Sequence, residues 1–404
     1  MGFYLLFALF FITGIFCAIR PKIAIFLFII LSITLPTSSA FTNLSYLSGV
    51  FVIDSFFIPL SFIMLVRVSI LKTVQLSKNE IFLFFTPFFI FLNYFIISGC
   101  KTGFDLQLIK EIRPVILLIE TIVFLLFIRQ IDFKVNFKSI SKLAILAALS
   151  NVTYYLVLYF GFTVSNDLYY VNNSYRYLDL STYFSIYFVM HYLISKQNNI
   201  ISKSYYNNIA VISSFVSIII SNSRFLLLAL FLALIFSNVT SFKLFFKRFF
   251  QACVIFFIFL GFSFIIDSSR VTDALSFESI IGQLSNRYYP ALIDVYKMTD
   301  MQRIFGYGLG HYFDITWFEY RKNIDNQNIS IDCAYLTAYV KQGILGFFGL
   351  FFTLNLLISP ALEKYRFALL IFWSVMFCVS SSFYQIYPIG ALIYIAFINT
   401  NEDK

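Results

Sequence analysis

The residues able to do chemistry in this chain are few, and they sit where apolar runs end. Arg224 follows SNS and opens FLLLALFLALIF, which puts its guanidinium at or just inside a membrane interface. A charge there is costly unless it meets a cavity or a partner. A guanidinium's planar fork suits phosphate oxygens, although an arginine reaching to lipid headgroups fits the same position. Arg287 lies in SNRYYPAL, Arg113 in IRPVIL and Arg176 in SYRYLDL. Singly, each reads as ordinary solvated charge. Together, four arginines from separate segments approaching one face would be explained by an anionic ligand held there, and equally by ordinary surface charge.

The alternating glycines Gly306, Gly308 and Gly310, in GYGLG, permit a tight turn or an anion-binding nest of backbone N–H groups; a plain turn accounts for them equally. His311 follows directly. Asp332, in SIDCAYL, stands just before the next apolar run. Each is a candidate to take a proton from a hydroxyl, in competition with simple turn or capping roles. His191, inside an apolar run, reads as structural. Glu120, seven residues after Arg113, shares its helix face and reads as its ion-pair partner. No metal-ligand spacing, Ser-His-Asp set or acidic nucleotide-sugar motif is present, so neither a metal nor a cofactor is expected.

The elements that must position these residues are apolar helices. The chain is 60% hydrophobic, 21% aromatic and 12% charged, about half the charge content of soluble domains at roughly 25%. Apolar runs fall near 3–19, 23–40, 49–66, 81–98, 114–128, 143–162, 181–195, 207–221, 225–240, 249–266, 336–358, 367–382 and 388–399. An all-α, polytopic membrane bundle of about twelve or thirteen spans follows from their length. The first run has its positive charges, Arg20 and Lys22, after it, which reads as a membrane helix and not a leader. Basic residues such as Lys134, Lys138, Lys142, Lys243, Lys247 and Arg248 gather in alternate short loops, which marks that side as cytoplasmic. The net charge of +9 therefore reads as topology, not as nucleic-acid binding.

On that topology the C-terminus is cytoplasmic, and the one large polar excursion, 267–335, faces outward within a single membrane domain spanning 1–404. Inside it Phe277, Ile281, Leu284, Tyr288, Leu292 and Val295 recur at three- and four-residue spacing, the pattern of an amphipathic helix, with a kink expected at Pro290. Such a helix would lid a cavity or pack on the ends of the bundle.

Taken in order, SNSRFLLLAL, SNRYYPAL, GYGLGHYF and DCAYLTAYVKQGILG resemble the O-antigen polymerase and ligase superfamily, and RYLDLSTY and SSFYQIYPIGALIYIAF resemble its Wzy-type polymerases. The resemblance implies a glycosyltransferase of the bacterial inner membrane, with its active site facing the periplasm. It would transfer a growing glycan from undecaprenyl pyrophosphate to a new lipid-linked repeat unit, without a metal, alongside membrane lipids and a chain-length regulator protein. Arg224 and Arg287 would stabilise the departing pyrophosphate, with Arg113, Arg176 and the glycines as further anion contacts and Asp332 or His311 as the base. Members of the superfamily often carry His-Asn where this chain has Asp332-Cys333, which leaves the base open between the two. A ligase of the same superfamily is one alternative; a flippase for lipid-linked oligosaccharides, which should carry charges along several spans, is another.

Overall fold

The computed structural model describes residues 2–36, 46–47, 50–71, 77–104, 111–133, 135–161, 177–197, 205–221, 223–237, 245–250, 277–315, 327–359 and 363–381, with a few isolated positions between. Among them the chain is all-α. The helices are α1 (Gly2–Phe16), α2 (Pro21–Thr34), α3 (Asp54–Ser69), α4 (Lys78–Thr102), α5 (Arg113–Ile131), α6 (Phe137–Tyr159), α7 (Leu180–Gln197), α8 (Tyr205–Ile220), α9 (Arg224–Phe236), α10 (Phe277–Lys297), α11 (Asp300–Phe305), α12 (Ala334–Ile358) and α13 (Glu363–Val379). Helices α5, α6 and α12 are long and apolar enough to cross a membrane, and shorter apolar helices lie in α1, α2, α4, α8, α9 and α13. The runs expected near 249–266 and 388–399 fall largely outside the described residues.

Local sequence explains where several helices begin and end. Pro21 and Pro114 occupy first-turn positions of α2 and α5, where a missing N–H costs nothing. Asn136 caps α6 by accepting from the Ser139 N–H at 2.9 Å. Thr299 and Gln302 form a reciprocal capping box that starts α11. Helix α5 stops at Asp132, which adopts a left-handed φ of 44°. Three antiparallel ribbons of two-residue strands, absent from the all-α expectation, join connecting segments: Tyr46–Leu47 with Val50–Phe51, Tyr170–Val171 with Ser174–Tyr175, and Phe313–Asp314 with Gln327–Asn328.

One large core runs through α1–α9, α12 and α13, mainly aliphatic with many aromatic rings among its residues. Phe28 of α2 stacks on Phe56 of α3 at 3.8 Å between centroids, and Tyr183 of α7 stacks on Trp373 of α13 at 6.0 Å. Polar side chains add cross-links. Asn151 of α6 donates to Thr182 Oγ1 at 2.7 Å and accepts from Ser181 Oγ at 2.9 Å, both on α7, and also donates to Ser217 of α8. Hydrogen bonds of this kind join helices where lipid tails offer no hydrophobic drive for association. The side chains turned outward are large and apolar, among them Leu5, Phe62 and Ile212.

A second, smaller core is formed by Ala291, Met298, Phe313, Ile315, Ile331, Cys333 and Val340. The expected amphipathic helix is present as α10, continuous through Pro290, but its packed face differs from the expected one. Tyr288, Ala291 and Val295 meet the small core, while Ile281 and Leu292 are each 49% exposed. Ala291, fully buried, is small enough to let α10 approach α12 closely; the bulkier apolar residues one face over are displaced outward.

Candidate functional site

The glycine turn is held against a break in a membrane-length helix. Gly343 interrupts α12 with φ 63° and ψ −157°, a conformation essentially closed to residues with a side chain. The break frees carbonyls of the preceding turn. Val340 O accepts from the Tyr307 N–H and Lys341 O from the Gly308 N–H, each at 2.9 Å, and Gln342 O accepts from the Tyr94 hydroxyl at 2.7 Å. Gly306, at φ 74°, lies directly on the Lys341 carbonyl, and Gly343 lies on the Ile304 carbonyl. A Cβ on either would collide with backbone. The two glycines therefore act as a matched pair that lets the turn after α11 seat in the gap in α12.

A buried ion pair fastens the same joint. Glu111 and Lys341 meet at 2.7 Å, each side chain 1% exposed. The other Glu111 oxygen accepts the Gly310 N–H at 2.9 Å, and Ser98 Oγ accepts the Leu309 N–H at 2.8 Å. Burial raises the Glu111 carboxyl above its ordinary range, opposed by the charge and hydrogen bond of Lys341. The N–H groups of Tyr307, Gly308, Leu309 and Gly310 are thus all committed to protein acceptors. The geometry is that of a fastened turn; these four N–H groups do not form an open anion nest.

Arg287 and Asp332 come together from different segments. Arg287 Nε lies 3.7 Å from Asp332 Oδ2, with side chains 25% and 40% exposed. Its Nη1 donates to the Val379 carbonyl at 3.3 Å, and the neighbouring Tyr288 hydroxyl donates to Cys378 O at 2.7 Å. Both acceptors lie at the C-terminal end of α13, where unpaired carbonyls favour a cation. The guanidinium also lies over the Phe225 ring, 5.3 Å from its centroid, in the first turn of α9. Arg224 is the first residue of that helix. It directly precedes Phe225 in the chain, and its side chain lies outside the described residues.

His311 forms a separate pair nearby. Its Nε2 is 2.9 Å from Asp294 Oδ2 of α10, and its ring stacks on Tyr307 at 4.6 Å with Phe313 edge-on at 5.4 Å. The Tyr307 hydroxyl donates to the Asp294 carbonyl at 3.1 Å; burial first, then Asp294, raises this phenol above its usual range. Phe313 belongs to the small core and Tyr307 packs against it; Cys333, which follows Asp332 in the chain, is another of its members.

Arg113 stands apart from the other arginines, inside the bundle and 2% exposed. It meets Asp54 Oδ2 at 2.7 Å and, as the seven-residue spacing implied, Glu120 Oε2 at 3.8 Å. Asp54 also accepts the Phe51 N–H at 2.7 Å, and the guanidinium lies over the Phe51 ring. Its charge is answered within the protein. Arg176 lies outside the described residues. His191 is packed edge-on between Phe137 and Tyr365, a structural place.

Four charged residues at these junctions were not singled out from the sequence: Asp54, Glu111, Asp294 and Lys341. A signal existed for two of them. Asp54 in FVIDSFF and Lys341 in AYVKQGILG are ionisable residues inside apolar runs, where a partner is required. Asp294 and Glu111 lie among other polar residues, and their partners are 17 and 230 positions away.

No curated protein and no solved structure matches the chain. One family does, over residues 108–402, a span that takes in the glycine turn, Arg287, His311, Asp332 and the broken helix. The protein belongs to that family, which is described as a family of unknown function, DUF6369.

Proposed function

We propose that this protein is a membrane-embedded glycosyltransferase of the O-antigen polymerase type, acting at the periplasmic face of a bacterial inner membrane. The apolar helices form its polytopic bundle, the 267–335 segment is its large outer loop, and its C-terminus is cytoplasmic. Its substrates are undecaprenyl-pyrophosphate-linked repeat units, and a chain-length regulator is its protein partner. The observation that carries the reading is the meeting of Arg287 and Asp332 at 3.7 Å beside the helix that Arg224 opens. Two residues of the motifs that resemble the superfamily thus meet from separate segments, next to Phe225 in the first turn of the helix that a third motif opens. The partly exposed Arg287 guanidinium is suited to a departing pyrophosphate, whose developing charge needs fixed positive partners. The guanidinium of Arg287 is oriented in advance by Val379, Phe225 and Asp332, so little reorganisation accompanies the reaction.

The test is the banding pattern of surface lipopolysaccharide after the gene is deleted. Core carrying a single repeat unit supports the polymerase; an unchanged ladder overturns it. A second reading, a lipid-linked oligosaccharide transporter, draws on the Asp54–Arg113–Glu120 cluster buried within α3 and α5, since charges inside spans mark transport paths. Under that reading deletion leaves core with no repeat, and lipid-linked glycan accumulates on the cytoplasmic side. Core without repeats, with the glycan stranded outside, indicates the ligase.

A further inference from the structure

Two groups near the outer face have the chemistry to accept a proton, and the structure separates them. The Asp332 carboxylate faces the Arg287 guanidinium at 3.7 Å. Its charge is engaged by the residue best suited to the leaving group. His311 is differently held. Its ring is clamped between Tyr307, stacked at 4.6 Å with planes 11° apart, and Phe313, edge-on at 87°. One nitrogen, Nε2, meets the Asp294 carboxylate at 2.9 Å, and the two side chains are 24% and 19% exposed. A carboxylate only accepts, so in the neutral ring Nε2 carries the hydrogen and Nδ1 presents a bare lone pair. Among the described residues nothing hydrogen-bonds Nδ1. The preceding residue is fixed as well, because the Gly310 N–H is held by buried Glu111.

We propose that Asp294 is a positioning residue that fixes the tautomer and orientation of His311, and that His311 Nδ1 is the base of the transfer; this rests on the glycosyltransferase reading above. In the step, the acceptor sugar hydroxyl loses its proton to Nδ1 while its oxygen bonds to the anomeric carbon. The bond from that carbon to the pyrophosphate oxygen breaks, and the lipid pyrophosphate leaves with the electron pair. The imidazolium so formed is balanced by Asp294, as a base held by a third group requires. The other ionisable groups around the ring are Tyr307 beside it and, behind the turn, Glu111 with Lys341 of α12.

The full chain in detergent, with nitrogen-15 in its two histidines, tests the tautomer by NMR. The signals lost in His311→Gln should report a protonated Nε2 and a bare Nδ1. A protonated Nδ1 at neutral pH overturns the proposal whatever the activity. Transfer between purified lipid-linked repeat units tests the role. Asp294→Asn should lower the rate at saturating substrate about a hundredfold with KM little changed, and Asp294→Glu should restore part of it. If the wild type polymerises and Asp294→Asn does so equally fast, the base assignment falls and the glycosyltransferase reading stands. If Asp294→Asn fails to accumulate, Asp294→Glu and His311→Gln decide, and full activity in His311→Gln overturns the proposal. A wild type that transfers no glycan overturns the glycosyltransferase reading itself, and the base role with it.

Discussion

Arg287 touches three different elements and Asp332 mainly one, so the two sides of their ion pair are unequal. Arg287 stacks on Phe225 at the start of α9, donates to the Val379 carbonyl at the end of α13 and meets Asp332 before α12. Arg287→Ala is expected to lower glycan transfer by about a hundredfold or more, the scale of losing one fixed electrostatic donor, with the protein still present in membranes by immunoblot. Arg287→Lys keeps the charge but not the fork geometry and should recover only part of the rate. Asp332→Asn keeps the shape and is expected to cost less than Arg287→Ala. An inactive Asp332→Asn beside an active His311→Gln would return the base to Asp332. The arginine was legible in the sequence, as was the aspartate. Their contact was not, since they are far apart in the chain and no local periodicity links them.

The decisive element is the broken helix α12. A lysine and a glycine in an apolar run, AYVKQGILG, make sense only once the turn at 306–310 is seated against them. Lys341→Met leaves Glu111 buried without its cation and is expected to destabilise the fold by about 3–5 kcal/mol. The double variant Glu111→Gln with Lys341→Met removes both charges and should recover most of that loss. Thermal unfolding in detergent measures the difference; equal midpoints for the single and double variants would mean that the pair contributes nothing specific. Gly343→Ala meets both a forbidden conformation and the Ile304 carbonyl. It should detach the glycine turn and abolish transfer even though every polar site residue remains. The helix over 336–358 was expected from its length; the interruption was not, because Gly343 is one of three glycines in the helix, with Gly346 and Gly349, and glycines in a long apolar helix are more often packing sites.

At the scale of the whole molecule, the outward-turned leucines, phenylalanines and isoleucines leave a surface compatible with a membrane. Tyr296 of α10, 90% exposed, is a direct probe of which way the outer segment faces. With the exposed Cys100 and Cys378 and the partly exposed Cys253 replaced by serine, a Tyr296→Cys variant should react with a membrane-impermeant maleimide in spheroplasts. Labelling that appears only after the membrane is permeabilised would reverse the proposed orientation. The same probe leaves the buried Cys17 and Cys333 unreactive.

The sequence by itself determined the helical, membrane-compatible character of this protein, because a span is set by local composition and length and needs no partner. It also determined which residue types are scarce enough to matter. Only the tertiary structure decided that Gly306 to Gly310 is a fastened turn, that Arg113 is answered inside the bundle by Asp54, that Arg287 meets Asp332, and that Asp294 holds His311. Each of these is a pairing between charges or backbones remote in the chain. Coulombic and hydrogen-bond partners are chosen by distance in space, on which one sequence without its fold is silent.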